Sequence, residues 1–76
     1  MNKIRYIMKP KAKDLIANNM TQRELAEKIG ISTAYMNEII THNKRRGGVN
    51  ERLAYFICKA LDPELEIADL FDKIKI

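Results

Sequence analysis

The chain is poor in the residues from which small proteins build chemistry. Its 76 residues include no tryptophan, one cysteine and one histidine. A single cysteine excludes an internal disulfide and any cysteine-rich zinc site. The lone histidine, His42, has no cysteine or second histidine to join it and reads as a surface residue; no metal and no cofactor are expected. Only three glycines and two prolines are present, and no glycine-rich loop of the kind that cradles phosphates. No nucleophile–base pair is visible either, so an enzyme is not expected. No apolar run approaches the ~18 residues of a membrane span. Lys3 and Arg5 are not followed by a long apolar stretch, so no secretory signal is expected. These absences point to a protein of the cytoplasm.

What is present suits one small domain over residues 1–76. Hydrophobic residues make up 46% and charged residues 32%, too apolar for a disordered tail. A chain of this length buries about 60% of its unfolded surface. The net charge is +4 and the isoelectric point about 9.4, which favours a polyanionic partner. The charge is uneven. Residues 1–20 carry Lys3, Arg5, Lys9, Lys11 and Lys13 against Asp14 alone, a local +4. Lys44, Arg45 and Arg46 stand together further on. Residues 49–76 carry four bases against six acids, a local −2.

Periodicity predicts an all-α domain of five short helices with possible strand ends. Ile4, Tyr6 and Met8 alternate with Arg5 and Ile7, as in a strand; residues 1–9 read as a strand or an N-terminal arm. Lys73-Ile74-Lys75-Ile76 alternates too, and the two ends can pair as an antiparallel ribbon. Pro10 suits the first turn of a helix to about Asn18, burying Ala12, Leu15 and Ile16. Thr21 with Glu24 forms a capping box for a helix burying Leu25, Ala26 and Ile29. Gly30 suits a left-handed exit. Ser32 caps the next helix, about Thr33 to Thr41, with Met36, Ile39 and Ile40 on one face. His42 to Gly48 is a polar, glycine-ended loop. Asn50 caps a fourth helix to about Leu61, with Leu53, Phe56, Ile57, Ala60 and Leu61 as its core stripe. Asp62-Pro63 stops it. Cys58, Met8, Met20 and Met36 fit the core. Ile67, Leu70, Phe71 and Ile74 recur at three and four, which predicts a fifth helix.

Helix, tight glycine turn, helix is the outline of a helix-turn-helix over about residues 21–41. The motif needs a small residue where the helices cross, which Ala26 supplies, and a turn tolerant of positive φ, which Gly30 supplies. Leu25, Ile29, Ile31, Met36 and Ile39 fill the wedge. Chemistry assigns roles to the outer face of the second helix. Asn37 can pair bidentately with adenine. Thr33 can bond a base or pack its methyl on thymine, and Ala34 can make only apolar contact. Glu38 can accept from cytosine N4 but repels phosphate. No arginine stands on this face, so an A/T-leaning half-site is expected.

Met20 to Ile39, MTQRELAEKIGISTAYMNEI, resembles the Cro/cI-type helix-turn-helix domain of lambdoid phage repressors and related bacterial regulators. The resemblance extends through the ending IADLF, over about residues 11–72. It implies a lambda repressor-like five-helix domain whose third helix enters the major groove, and transcriptional control as a dimer on a palindromic operator. It places Thr33, Ala34, Asn37 and Glu38 on base edges. It places Gln22, Ser32, Thr41, Asn43 and the Lys44-Arg45-Arg46 run on the backbone, with Tyr35 able to reach a phosphate. The family's ion pair between helices 1 and 3 is replaced by aliphatic residues, Leu15 or Ile16 with Ile40. Replacing both partners is often neutral or stabilising. His42 stands where the family has glycine, and the loop before the fourth helix is long.

A dimer would draw on Leu65, Ile67, Leu70, Phe71, Ile74 and Ile76. Two rival readings stay open: an antitoxin binding both DNA and a toxin, and a protein-binding antirepressor. The acidic last third, with Glu64, Glu66, Asp69 and Asp72, mildly favours a protein partner.

Overall fold

A computed structural model describes residues 3–42 and 47–75. The elements follow in the order β1 (Ile4–Met8), α1 (Pro10–Asn19), α2 (Gln22–Ile29), α3 (Thr33–His42), α4 (Glu51–Leu61), α5 (Ile67–Leu70) and β2 (Phe71–Lys75). The class is therefore mixed: mostly helical, with β1 and β2 paired as a two-stranded antiparallel sheet. This overturns the all-α expectation.

The register explains why the ends are strands. Arg5 lies opposite Ile74, Tyr6 opposite Lys73 and Met8 opposite Phe71. Tyr6 turns its own N–H and C=O the other way, exchanging two 2.9 Å bonds with Val49. In an antiparallel ladder alternate residues point to alternate sides, so Arg5 and Ile7 direct their backbone groups at β2. Continuing α5 as a helix would leave those groups without partners. The chain instead leaves α5 after Leu70, whose carbonyl accepts from the Lys9 N–H at 2.8 Å. Phe71 and Ile74, expected on the fifth helix, thus belong to β2. Spacing of three and four between so few residues did not distinguish the two states.

The helices begin where their caps predict. Thr21 and Glu24 form the reciprocal capping box, each bond 3.1 Å long. The Ser32 hydroxyl accepts from the Tyr35 N–H at 3.0 Å, and the Asn50 carbonyl oxygen from the Leu53 N–H at 2.8 Å. Gly30 leaves α2 with φ +89°. The core joins Tyr6, Met8 and Phe71 of the ribbon to Ile16, Leu25, Met36, Ile39, Ile57 and Leu70. On α4 the buried arc is Ala54, Ile57 and Cys58, and Phe56 stands outside it at 41% exposure. Small residues let a helix pack closely, so α4 turns Ala54 and Cys58 inward where bulk alone had favoured Phe56. Ile16 and Ile40 are both buried and line one cavity.

The loop before α4 is fastened to β1. The Arg5 guanidinium donates to the Gly48 carbonyl at 2.8 Å and to the Gly47 carbonyl at 3.3 Å. A side chain at Gly48 would put its Cβ 2.5 Å from the Tyr6 carbonyl oxygen, at φ +84°. Only glycine lets the loop approach the strand this closely.

Candidate nucleic-acid interface

Helices α2 and α3 meet at a turn closed by one carbonyl. Ala26 O accepts from both the Gly30 N–H (2.8 Å) and the Ile31 N–H (3.0 Å). Leu25, Ala26, Met36 and Ile39 seal the wedge between the helices, with Ile29 and Ile31 packed against it. Because these apolar positions fix which side of α3 faces inward, its opposite side is committed to solvent.

That outer side is a shallow concavity lined by Gln22, Ser32, Thr33, Ala34, Tyr35, Asn37, Glu38 and His42. All are exposed except Gln22, which is half-buried. The four base-contact candidates, Thr33, Ala34, Asn37 and Glu38, are therefore together, and three backbone candidates, Gln22, Ser32 and Tyr35, border them. His42 joins them because α3 runs one residue beyond its expected end, which puts His42 one turn past Glu38. Sequence reading left His42 off the site; its i, i+4 spacing from Glu38 was the available signal.

Asn37 and Gln22 are not independent. The Asn37 Nδ2 donates to Gln22 Oε1 at 3.0 Å, across fifteen residues of sequence. With its oxygen so engaged, Gln22 turns its NH₂ group elsewhere, as a donor. Asn37 keeps its Oδ1 as an acceptor and its second N–H as a donor, the set a bidentate adenine contact requires. Ser32 accepts the Tyr35 N–H as a cap, which leaves its hydroxyl proton for an external acceptor.

Other candidates stand apart. Thr41 donates its hydroxyl to the Asn37 carbonyl at 2.7 Å and lines a different groove, with Ile7, Pro10, Ile40 and Ile74. Its proton is committed to the helix, so in this rotamer it cannot donate to a phosphate. Asn43, Lys44, Arg45 and Arg46 lie outside the described residues.

The electrostatics are set at the rim. Among the described residues lining the concavity there is no lysine or arginine. Lys13 of α1 lies beside Thr21 and Gln22 at the start of α2, and Lys11 is exposed on α1. Lys9 instead approaches Asp72 at 3.8 Å, and Arg5 is held by the glycine carbonyls. The Thr21 N–H and hydroxyl hold the Glu24 carboxyl below its ordinary value of 4.5, so it stays ionised over the positive end of α2. Four acids of the last third have local tasks: Asp62 accepts from the Glu64 N–H, Glu66 and Asp69 form a capping box, and Asp72 meets Lys9.

No group of three metal-ligating side chains occurs among the described residues, and none of their helices is long and apolar enough to cross a membrane. Compared with protein-family models, curated proteins and solved structures, the chain matches none.

Proposed function

We propose that the chain is a sequence-specific regulator of transcription that binds double-stranded DNA, a Cro-like or short repressor of the Cro/cI-type helix-turn-helix kind. Helix α3 enters the major groove with Thr33, Ala34, Asn37 and Glu38 toward the bases. Gln22, Ser32 and Lys13 meet phosphates beside the start of α2. The Lys44-Arg45-Arg46 run adds further phosphate contacts, and each neutralised phosphate contributes about 0.9 to the slope of log K against log salt. The cellular setting of such a protein is the bacterial cytoplasm or nucleoid.

The observation that carries this reading is the Asn37–Gln22 hydrogen bond on an open polar face. It orients one amide as a base reader and the other as a phosphate donor, one turn of motif apart. In isolation each would be an ordinary solvated side chain.

A single domain reads few base pairs, so two copies on half-sites about 34 Å apart are the expected arrangement. Of the residues expected to form a dimer face, Leu70 and Phe71 are in the core, Leu65 and Ile67 pack against it, Ile74 is half-buried and lines a groove with Ile7, Met8 and Ile40, and Ile76 lies outside the described residues. Among the described residues of the tail Ile74 is thus the candidate left outside the core, too little for a preformed dimer, and pairing is expected on DNA.

Selection from random duplexes followed by sequencing tests the proposal. The expected outcome is enrichment of a palindromic, A/T-leaning site by the native chain, with relaxed preference in Asn37→Ala. Failure to enrich any sequence refutes the sequence-specific reading, and guanine-rich half-sites refute the assignment of base contacts to this face.

A further inference from the structure

Helix α4 turns two aromatic rings into solvent. Tyr55 is 49% exposed and Phe56 41%, and they pack edge to face with ring centroids 6.2 Å apart. Adjacent large apolar side chains left in water mark contact surfaces more often than isolated ones do. The rings are framed by cations. The Arg52 guanidinium carbon lies 5.5 Å from the Phe56 ring centre, and Lys59 Nζ 5.6 Å from that of Tyr55. Lys59 also donates to the carbonyls of Pro63 and Leu65 at 2.9 and 2.8 Å, which fixes it in place. Lys28 reaches across from α2 to the Ala60 carbonyl at 2.9 Å. With Ile29, Phe56, Lys59 and Ala60 it lines a groove between α2 and α4. Glu51, Glu66 and Asp72 lie on the other flank of α4, in a second groove that Tyr55 and Lys59 also line, while no acid among the described residues lines the groove of Lys28 and Phe56.

Three occupants can be weighed. A second copy crossing α4 antiparallel at Phe56 would bring Arg52 against the Lys59 of its mate, cation on cation, which disfavours the pair. The area is also too small. An aromatic side chain buries ~150–250 Å², so two rings at about half exposure offer roughly 200 Å² of the ~800 Å² per partner in a stable interface. Single-stranded nucleic acid stacks its bases on open ring faces, and here a cation already lies over one face of each ring. An acidic chain segment meets neither obstacle. Its carboxylates find an arginine already oriented by the ring beneath it and able to bond in a forked pair. An apolar side chain of the same segment fits the groove beside Phe56.

We infer that the α4 face is a docking surface for a short acidic segment of a partner protein, with Arg52 and Lys59 taking its carboxylates and Phe56 its apolar anchor. None of these residues lines the α3 concavity, so this surface and the α3 face can be occupied at once, and the inference does not rest on the DNA reading.

A phage-displayed library of random short peptides, panned on the full chain, tests it. The expected winners are rich in Asp and Glu with an interspersed Leu, Met or Phe. A fluorescein-labelled winner should bind saturably and lose roughly tenfold or more of its affinity in Phe56→Ser and in Arg52→Glu, as interface anchors do. Its amide shift changes should centre on α4 and Lys28–Ile29. Both substitutions are at exposed positions, and unchanged circular dichroism will show that the variants remain folded. Basic or neutral winners, or winners indifferent to both substitutions, overturn the inference. Failure to enrich any peptide overturns it too. Oligothymidine binding abolished by Arg52→Glu assigns the face to nucleic acid instead, and self-association in sedimentation abolished by Phe56→Ser assigns it to a second copy.

Discussion

Two glycines with nearly the same backbone angle should respond very differently to a single methyl group. Gly30 has φ +89° and nothing within 4 Å of where its Cβ would sit. Gly30→Ala therefore carries only the left-handed backbone penalty, about 1–2 kcal/mol. Gly48 has φ +84°, but its Cβ would stand 2.5 Å from the Tyr6 carbonyl oxygen and 3.0 Å from Ile7 Cδ1. The oxygen is strand backbone and cannot rotate aside, so the loop must retreat. Retreat strains the two Tyr6–Val49 hydrogen bonds and the Arg5 clasp on Gly47 and Gly48. Overpacking of this kind adds about 1–3 kcal/mol, and loss of one or two backbone bonds about 0.5–1.5 kcal/mol each. With the same backbone penalty included, Gly48→Ala should thus cost about 3–8 kcal/mol. For a domain of this size each kcal/mol moves Tm by roughly 4–8 °C. Thermal unfolding followed by circular dichroism should place Gly30→Ala about 5–15 °C below the parent and Gly48→Ala at least about 12 °C below it. Urea titration should give the same order, with m unchanged. Equal losses in the two variants would refute the claim that close approach, not backbone angle, decides Gly48.

Thr21→Ala removes the hydroxyl half of the capping box and should cost about 1 kcal/mol; the Glu24 carboxyl, still bonded by the backbone N–H of residue 21, should rise only part of the way towards 4.5, as read by carbon-13 NMR. Because that pKa is lowered in the folded state, the stability it contributes is present above 4.5 and lost as pH falls through the folded value. Burial, with Asp69 nearby, pushes the Cys58 thiol from 9.0 up to about 11. The unfolded thiol ionises first, so its contribution is whole below pH 9.0 and declines between 9.0 and about 11; Cys58→Ala should flatten that part of the stability–pH curve. Native Cys58 should also resist alkylation at neutral pH until the chain unfolds, a rate that mass spectrometry measures. Gln22→Ala and Asn37→Ala should be non-additive in duplex affinity, with a coupling of about 0.5–3 kcal/mol in a double-mutant cycle; additive effects would show that their hydrogen bond plays no part in binding.

Local chemistry made much of this fold legible in the sequence. Thr21 with Glu24, Gly30, Ser32 and Asn50 start or stop α2, α3 and α4 through contacts within five residues, and Pro10 starts α1, so the four main helices stand where expected. The wedge of Leu25, Ala26, Met36 and Ile39 was legible for the same reason, and it determines which side of α3 faces out. What sequence reading missed depends on distant partners. Phe71 and Ile74 fit a helix by spacing and became a strand because β1 needed one. Phe56 fits a core stripe by bulk and was turned outward by the closer packing of Ala54 and Cys58. Nothing in the neighbourhood of Arg5 announces that it will hold Gly47 and Gly48. Asn37 and Gln22 were each chosen singly, and their bond exists only once α2 and α3 are packed.

In the proposed function, the face of α3 bearing Thr33, Ala34, Asn37 and Glu38 is the surface that meets duplex DNA. Amide shifts followed during titration with a selected duplex, at two salt concentrations, test it most directly. The largest changes should fall at Gln22 and Ser32 through His42 and weaken as salt rises. Spectra that stay unchanged at low salt, or changes confined to other surfaces while those residues remain still, would contradict it.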